Sequence, residues 1–373
     1  MTQKRIRAVF MRGGTSRALF FHATDLPGAG PDRDRILLTA LGSPDPYGRQ
    51  LDGLGGGISS LSKACIIGPP SHPGADVDYT FVQVDVKNPV VDYQGNCGNC
   101  SSAVGPFTID ERLVPGVAGE TRVRIHNTNT RKLIVAHVLV KDGEAAVEGD
   151  FELAGVPGRG ARIALDFLDP GGAGTGRLLP TGRPRDLLDG VEASLVDATN
   201  PVVFVRAKDL GLAGTETPQA VDADRSLSAR LEAIRAEAAR RMGIAGSSAV
   251  PKIAIVAPPT DFTALDGARY PLDQVDLVAR VISMGNCHRA FALTAAMCLA
   301  VAARLDGTLV HEYATGATRA SGRTPADPLK LGHPSGVLPI DAAVCVRDGA
   351  PWAERVTVYR TARRLMEGFL RIP

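Results

Sequence analysis

The sequence predicts an α+β protein of two pseudo-symmetric halves, residues 1–185 and 186–373, each a mixed β-sheet wrapped around a central helix. Three observations lead to this reading. Four segments recur in order along the chain, short β-branched runs dominate both halves, and one helix-length segment is apolar on every side.

The recurrence is the strongest of the three. "RALFFHATDL" at 17–26 aligns with "PVVFVRAKDL" at 201–210, and "KACIIGPP" at 63–70 with "KIAIVAPP" at 252–259. "GNC" at 95–97 returns at 285–287, and "VLVKDG" at 138–143 returns as "VCVRDG" at 344–349. The offsets are 184, 189, 190 and 206, so order is kept and spacing only grows. Any one pair is ordinary by itself. Four in order indicate two halves of one topology, joined near "LLPTGRPRDLLDG" at 178–190.

Taken along the chain, strands are predicted at 5–10, 17–22, 78–86, 122–126, 132–140, 201–206, 252–257 and 342–347, with glycine and proline clusters turning between them. After Cys97 the segment "GNCSSAVGPFTIDERL" offers a first central helix, but Pro106 is expected to bend or break it. "SLSARLEAIRAEAARRM" at 226–242 places Leu227, Leu231, Ile234 and Ala238 on one face, the mark of a surface helix packed on one side. "HRAFALTAAMCLAVAARL" at 288–305 has no polar face, and such a helix must be buried all round.

Composition excludes several classes of function. Basic and acidic residues nearly cancel, 42 against 40, which argues against a phosphate-binding surface and against nucleic acid as a partner. The N-terminal residues lack a signal peptide's apolar core, and no apolar run reaches membrane-spanning length. Six scattered cysteines are too few for a disulfide framework in a chain this long, so a reduced, cytoplasmic protein is expected.

The stretch "GNCGNCSSAVGPF" at 95–107 contains a CxxC pair, Cys97 and Cys100. A structural zinc site takes about four Cys or His ligands, and no second pair exists, so no metal is expected. A redox dithiol needs both sulfurs, whereas the repeat singles out Cys97, which Cys287 mirrors. Cys100 and Cys298 read as small buried residues. Cys97 stands among Gly and Asn at a helix start, where a nest of backbone N–H groups is expected to stabilise a thiolate or a neighbouring anion. "GAGTG" at 172–176 lacks the strand and helix of a dinucleotide loop, and "GLGGGISSLSKA" at 53–64 lacks the phosphate loop's Gly before Lys63 and the Ser/Thr after it. Neither NAD nor ATP is expected. No GxSxG or HExxH is present.

"MRGGTS" at 11–16, "GSPD" at 42–45, "LDGLGGG" and "SK" at 51–63, "VDY" and "GNCGN" at 91–99, "VGPFTID" at 104–110, "HNTNT" at 126–130, "LPTG" at 179–182 and "HPSG" at 333–336 together resemble the PrpF family. The resemblance runs from about residue 5 to about residue 370. That family includes 2-methylitaconate Δ-isomerase, aconitate isomerase and 4-oxalomesaconate tautomerase; "IHNTNT", "VDYTFVQV" and "TARRLMEG" point most to the first. The resemblance implies the diaminopimelate-epimerase fold with its active site in a cleft between the halves. It also implies catalysis without a cofactor, by a Lys and a Cys that move a double bond in a small polycarboxylate. Those two residues fall on Lys63 and Cys97.

Moving C=C by one carbon removes a proton γ to a carboxylate and returns one at the α carbon, through a dienolate whose charge must be held. Lys63 serves as base only when neutral, and Cys97 exchanges a proton at the other carbon. Fixed donors for the substrate's carboxylates are sought among Arg12, Thr15, Ser16, Asn96, Gly98, Asn99, His288, Ser335 and Gly336. Cys287 departs from the family's pattern and is either a second acid/base thiol or a passive relic of the repeat, the latter being favoured. The rival readings are a two-cysteine racemase or epimerase of an amino or hydroxy acid and, more distantly, a non-catalytic dicarboxylate-binding protein. Homo-oligomerisation is left open.

Overall fold

The computed structural model describes residues 3–94, 96–244, 250–283, 285–321 and 327–373, with the backbone alone over 317–321. Gly95, which begins the first "GNC", lies outside the described residues. The chain divides into two compact units, Met1–Leu168 with Tyr359–Pro373, and Asp169–Val358. The division therefore falls before residue 185, and the last strand rejoins the first unit, because Ala362–Ile372 pairs antiparallel with Lys4–Gly13.

In the first unit, Lys4–Gly13 and Ser16–His22 form an antiparallel hairpin. Lys63–Gly68 runs parallel to the second of these, Val77–Val84 antiparallel to Lys63–Gly68, and Gly119–Asn127 parallel to Val77–Val84. Lys132–Lys141 and then Ile163–Leu168 follow, both antiparallel. The second unit repeats the series. Val191–Ala198 and Asn200–Arg206 form a hairpin, Lys252–Ala257 is parallel, Leu277–Ser283 antiparallel, Leu329–His333 parallel, and Gly336–Arg347 and Ala350–Arg360 antiparallel.

The repeat extends to register. Leu19 pairs with Ala64 and Phe20 with Cys65; at offsets of 184 and 189, Val203 pairs with Ile253 and Phe204 with Ala254. Both "DG" segments make the same turn, with Asp142 and Gly143 at φ of 54° and 78° and Asp348 and Gly349 at 53° and 78°. Positive φ at two successive residues is what a tight hairpin requires.

Each unit encloses one helix. Gly98–Asp110 is buried from Cys100 to Ile109, and Leu293–Ala302 from Ala295 to Ala302. Two expectations are corrected. Pro106 does not break the first helix: it removes one N–H from the ladder, but burial on every side holds the segment helical. The second helix begins at Leu293 rather than 288, because Asn286–Cys287 turns back onto Leu277–Ser283, pairing Cys287 with Ile282, and the His288 N–H bonds to the Val281 carbonyl 2.8 Å away. It stops at Ala302, and a further helix, Leu309–Ser321, follows. The amphipathic helix forms as Arg225–Arg241, capped by the Asp224 carboxylate, with Leu227, Leu231, Ile234 and Ala238 buried.

Glu111 ends the first central helix, and its buried carboxylate meets Arg7, His22 and Arg364 at 2.8, 2.8 and 2.9 Å, tying that end to three strands. Midway along the helix, Gly105 lies against the sheet. A Cβ there would stand 2.7 Å from Val138 Cγ2 and 3.0 Å from Ala136 Cβ. Overpacking of a core costs ~1–3 kcal/mol, against the ~1 kcal/mol by which Ala betters Gly in a helix. Gly105→Ala is therefore expected to lower the urea midpoint at unchanged m-value; a raised midpoint would show that the sheet yields.

Candidate active site

The predicted site residues of the first unit gather where the hairpin turn at 13–16 meets the first turn of Gly98–Asp110. The segment "RGGTS" fits there for a steric reason. A Cβ on Gly13 would stand 2.5 Å from the Asn99 carbonyl oxygen, and one on Gly14, at φ +52°, would stand 2.2 Å from Asn99 Oδ1. With no side chain at either position, the hairpin lies directly on the helix start. Ser16 then faces Cys97, Oγ to Sγ 3.9 Å, and Asn99 Nδ2 donates to Thr15 Oγ1 at 3.1 Å. Arg12 shapes this turn, its Nη1 donating to the carbonyls of Gly14 and Thr361, both at 2.9 Å.

Cys97 is the N-cap of the helix, with extended backbone, and its sulfur makes no capping hydrogen bond. Its carbonyl accepts from the Ser101 N–H at 2.9 Å. The thiol is pushed well above the usual cysteine range by its hydrogen bond with the Cys100 thiol, by burial and by the charge of Cys100, while positive charge placed on Lys63 acts in the opposite direction. The direction runs against the expected thiolate: a second sulfur and desolvation oppose the helix terminus. Gly98 begins the helix, and Asn96 Oδ1 accepts from Ser101 Oγ at 3.3 Å and Asn127 Nδ2 at 3.4 Å.

Lys63 begins the strand Lys63–Gly68 and is only 7% exposed, so it is not a solvated strand-start lysine. Its amine donates to Gln83 Oε1 at 2.5 Å and stands 5.0 Å from the centre of the Phe81 ring. Gln83 is its cross-strand partner and is oriented in turn, donating to the carbonyls of Ser62 at 2.9 Å and Ser59 at 3.1 Å. "HNTNT" braces the same strand: Asn129 accepts from the Phe81 N–H and donates to the Phe81 carbonyl, both at 2.8 Å. Sequence reasoning missed Gln83 and Phe81, although both stand in "VDYTFVQV". The signal was the register of the strand pair, which places Gln83 opposite Lys63.

Cys287, His288, Ser335 and Gly336 belong to the second unit. Ser335 Oγ donates to the Arg289 carbonyl at 2.6 Å, which joins the Ser335–Gly336 turn to the His288–Arg289 turn. Cys287 is not its helix's N-cap, since the helix starts six residues later, at Leu293. Its N–H donates to Asp222 at 2.7 Å, and its thiol is pushed up to about 11, by burial first and then by that carboxylate. Among the described residues no three His, Cys, Asp or Glu side chains are grouped to hold a metal ion. No helix among them is long and apolar enough to cross a membrane.

With this geometry in place, comparison with known proteins is decisive about kinship. The family model described as "PrpF protein" matches residues 3–373. The chain belongs to the PrpF family. It is 45% identical to the 3-methylitaconate isomerase of Eubacterium barkeri, over 99% of this chain and 97% of that one. It is 40% identical to the 2-methyl-aconitate isomerase of Shewanella oneidensis, over 100% and 98% of the two chains, and 38% identical to the 4-oxalomesaconate tautomerase of Pseudomonas putida, over 99% and 96%. The crystal structure of a methylitaconate-delta-isomerase superposes with a TM-score of 0.92 at 44% identity, covering 100% of this chain and 96% of that one. The α+β architecture is thus the family's.

A protonated Cys97 should react with iodoacetamide more slowly at neutral pH than a free cysteine does, and its rate should climb with pH above about 8.5, the ordinary thiol value. Mass spectrometry of the labelled peptide across a pH series measures this; fast labelling of Cys97 at pH 7 would restore the thiolate.

Proposed function

We propose that the chain is an isomerase that shifts C=C by 1,3-allylic proton transfer in a small unsaturated di- or tricarboxylate, with no cofactor, Lys63 and Cys97 carrying the protons. The observation that bears most weight is geometric: a buried Lys63 held by Gln83, and Cys97 at a helix N-cap beside the hairpin turn at 13–16. Full-length kinship with two isomerases and a tautomerase of such acids supports the substrate class.

The steps balance. Neutral Lys63 takes the proton γ to the carboxylate, and the electron pair left behind spreads as a dienolate. Cys97 then gives its proton to the α carbon and becomes a thiolate. The ammonium formed in the first step lowers the pKa of Cys97 and so readies the thiol to give up its proton in the second. Return of the proton from Lys63 to the thiolate resets the pair. Gln83 orients the amine throughout.

Cys287 fits a passive role better than a racemase's second thiol, since it sits in a strand beside Asp222 and away from its helix's N-terminus. The residue types also suit a reducing compartment such as the cytoplasm, with all six cysteines free.

Proton NMR in D2O with methylitaconate, aconitate and oxalomesaconate in turn tests the reading. Migration of the double bond with deuterium uptake is expected for at least one. Exchange at a stereocentre without migration would favour the racemase, and binding without exchange a non-catalytic protein. Lys63→Ala should cost at least about a hundredfold in kcat, the contribution of a positioned base; retention of more than about a tenth of wild-type turnover would remove Lys63 from that role.

The two repeat-related cysteines should separate cleanly. Cys97→Ser keeps a similar shape but a far more reluctant proton, so turnover should fall by about a hundredfold or more, while Cys287→Ser should stay within about tenfold of wild type. Equal loss in both variants would make this a two-thiol enzyme.

A further inference from the structure

We infer that Arg360 anchors a carboxylate of the substrate beside Cys97, an inference that rests on the isomerase reading above. Arg360 ends the strand Ala350–Arg360 and is only 6% exposed. Its Nε donates to Asn99 Oδ1 at 3.1 Å and its Nη1 to the Tyr359 carbonyl at 2.8 Å. A guanidinium has five N–H donors, so these bonds leave others unspent.

What is missing is a counter-charge. Among the described residues no Asp or Glu pairs with Arg360, and the ionisable group that acts on it is the Cys97 thiol, which carries no charge while protonated. Of the other buried guanidinium groups, Arg206, at 8%, meets Glu192 at 2.7 Å and Glu312 at 2.8 Å, and Arg280, at 1%, donates to the carbonyls of Glu216 and Ala279 and feels the charge of Glu216. Burial draws the pKa of Arg360 down, to about 10, which still leaves it cationic at neutral pH. A buried cation without a counter-charge is costly, and an arriving anion would relieve that cost.

The surroundings suit a carboxylate. Asn99 lies in the helix's first turn, two residues after Cys97, and is fixed by Thr15 on one side and Arg360 on the other. Gly14 keeps the approach clear, since a Cβ there would stand 3.1 Å from Arg360 Cδ. A carboxylate between Arg360 and the helix start would receive forked guanidinium donors and the terminal N–H groups together. In the dienolate, negative charge flows onto that same carboxylate, so the contact would strengthen as the reaction proceeds. Arg12 is less suited to this part, because its Nη1 is already spent on two backbone carbonyls.

The test is isothermal titration calorimetry with 2-methylsuccinate, a saturated dicarboxylate that cannot isomerise, on wild type, Arg360→Met and Asn99→Asp. Arg360→Met should raise the Kd about tenfold to a hundredfold, the worth of a hydrogen bond to a charged group. Asn99→Asp is nearly isosteric and gives Arg360 an internal carboxylate, so it should raise the Kd comparably; it decides the matter if Arg360→Met does not fold. Both folded variants binding within about threefold of wild type would overturn the inference while leaving the isomerase reading intact. A wild type that binds no methylsuccinate and isomerises none of the three acids would instead sink that reading, and this inference with it.

Discussion

A helix without a polar face holds its place only where apolar surface meets it on every side, and each unit is organised by that demand. Strands surround Gly98–Asp110 so closely that Gly105 has no room for a methyl group. A helix enclosed along its length still presents its first turn, with unpaired N–H groups, at one end. That end is where Cys97, Asn99 and the hairpin turn at 13–16 come together. The proposed chemistry occupies the place the core cannot close.

Lys63 and Cys97 arrive there by different routes. Strand register delivers the lysine, because pairing of Lys63 with Gln83 sets the amine against a fixed amide oxygen. The helix N-cap delivers the cysteine. Neither group stands alone: Cys100 and burial push the pKa of the thiol up, and positive charge on the lysine draws it down.

Much of this was legible in the sequence because the repeat is carried by local features, β-branched strands, a Lys at a strand start and an Asp-Gly turn, that survive in both halves. The matching registers of Leu19 with Ala64 and Val203 with Ile253 follow from them. The failures share a different origin. The late start of Leu293–Ala302 depends on Cys287 pairing with Ile282, the unbroken course through Pro106 depends on burial, and the state of the Cys97 thiol depends on a side chain one helical turn away. Arg360 reads in sequence as an unremarkable strand residue; its burial and its bond to Asn99 at the helix start set it apart only in three dimensions. Periodicity reports which face is buried, not which polar group lies opposite.

The return of Ala362–Ile372 to Lys4–Gly13 bears on how the protein is made. The strand Lys4–Gly13 finds one of its two neighbours in a strand made far later in the chain, so the first unit cannot close until Ala362–Ile372 has emerged from the ribosome. The second unit, contiguous from Asp169 to Val358, carries no such debt and can complete its pairings earlier. Nascent chains would then hold an unpaired strand edge until that partner is made, the feature that templates wrong pairing between chains. Lys4, Arg5 and Arg7 along that edge put like charges in the way of such contacts until the native partner arrives.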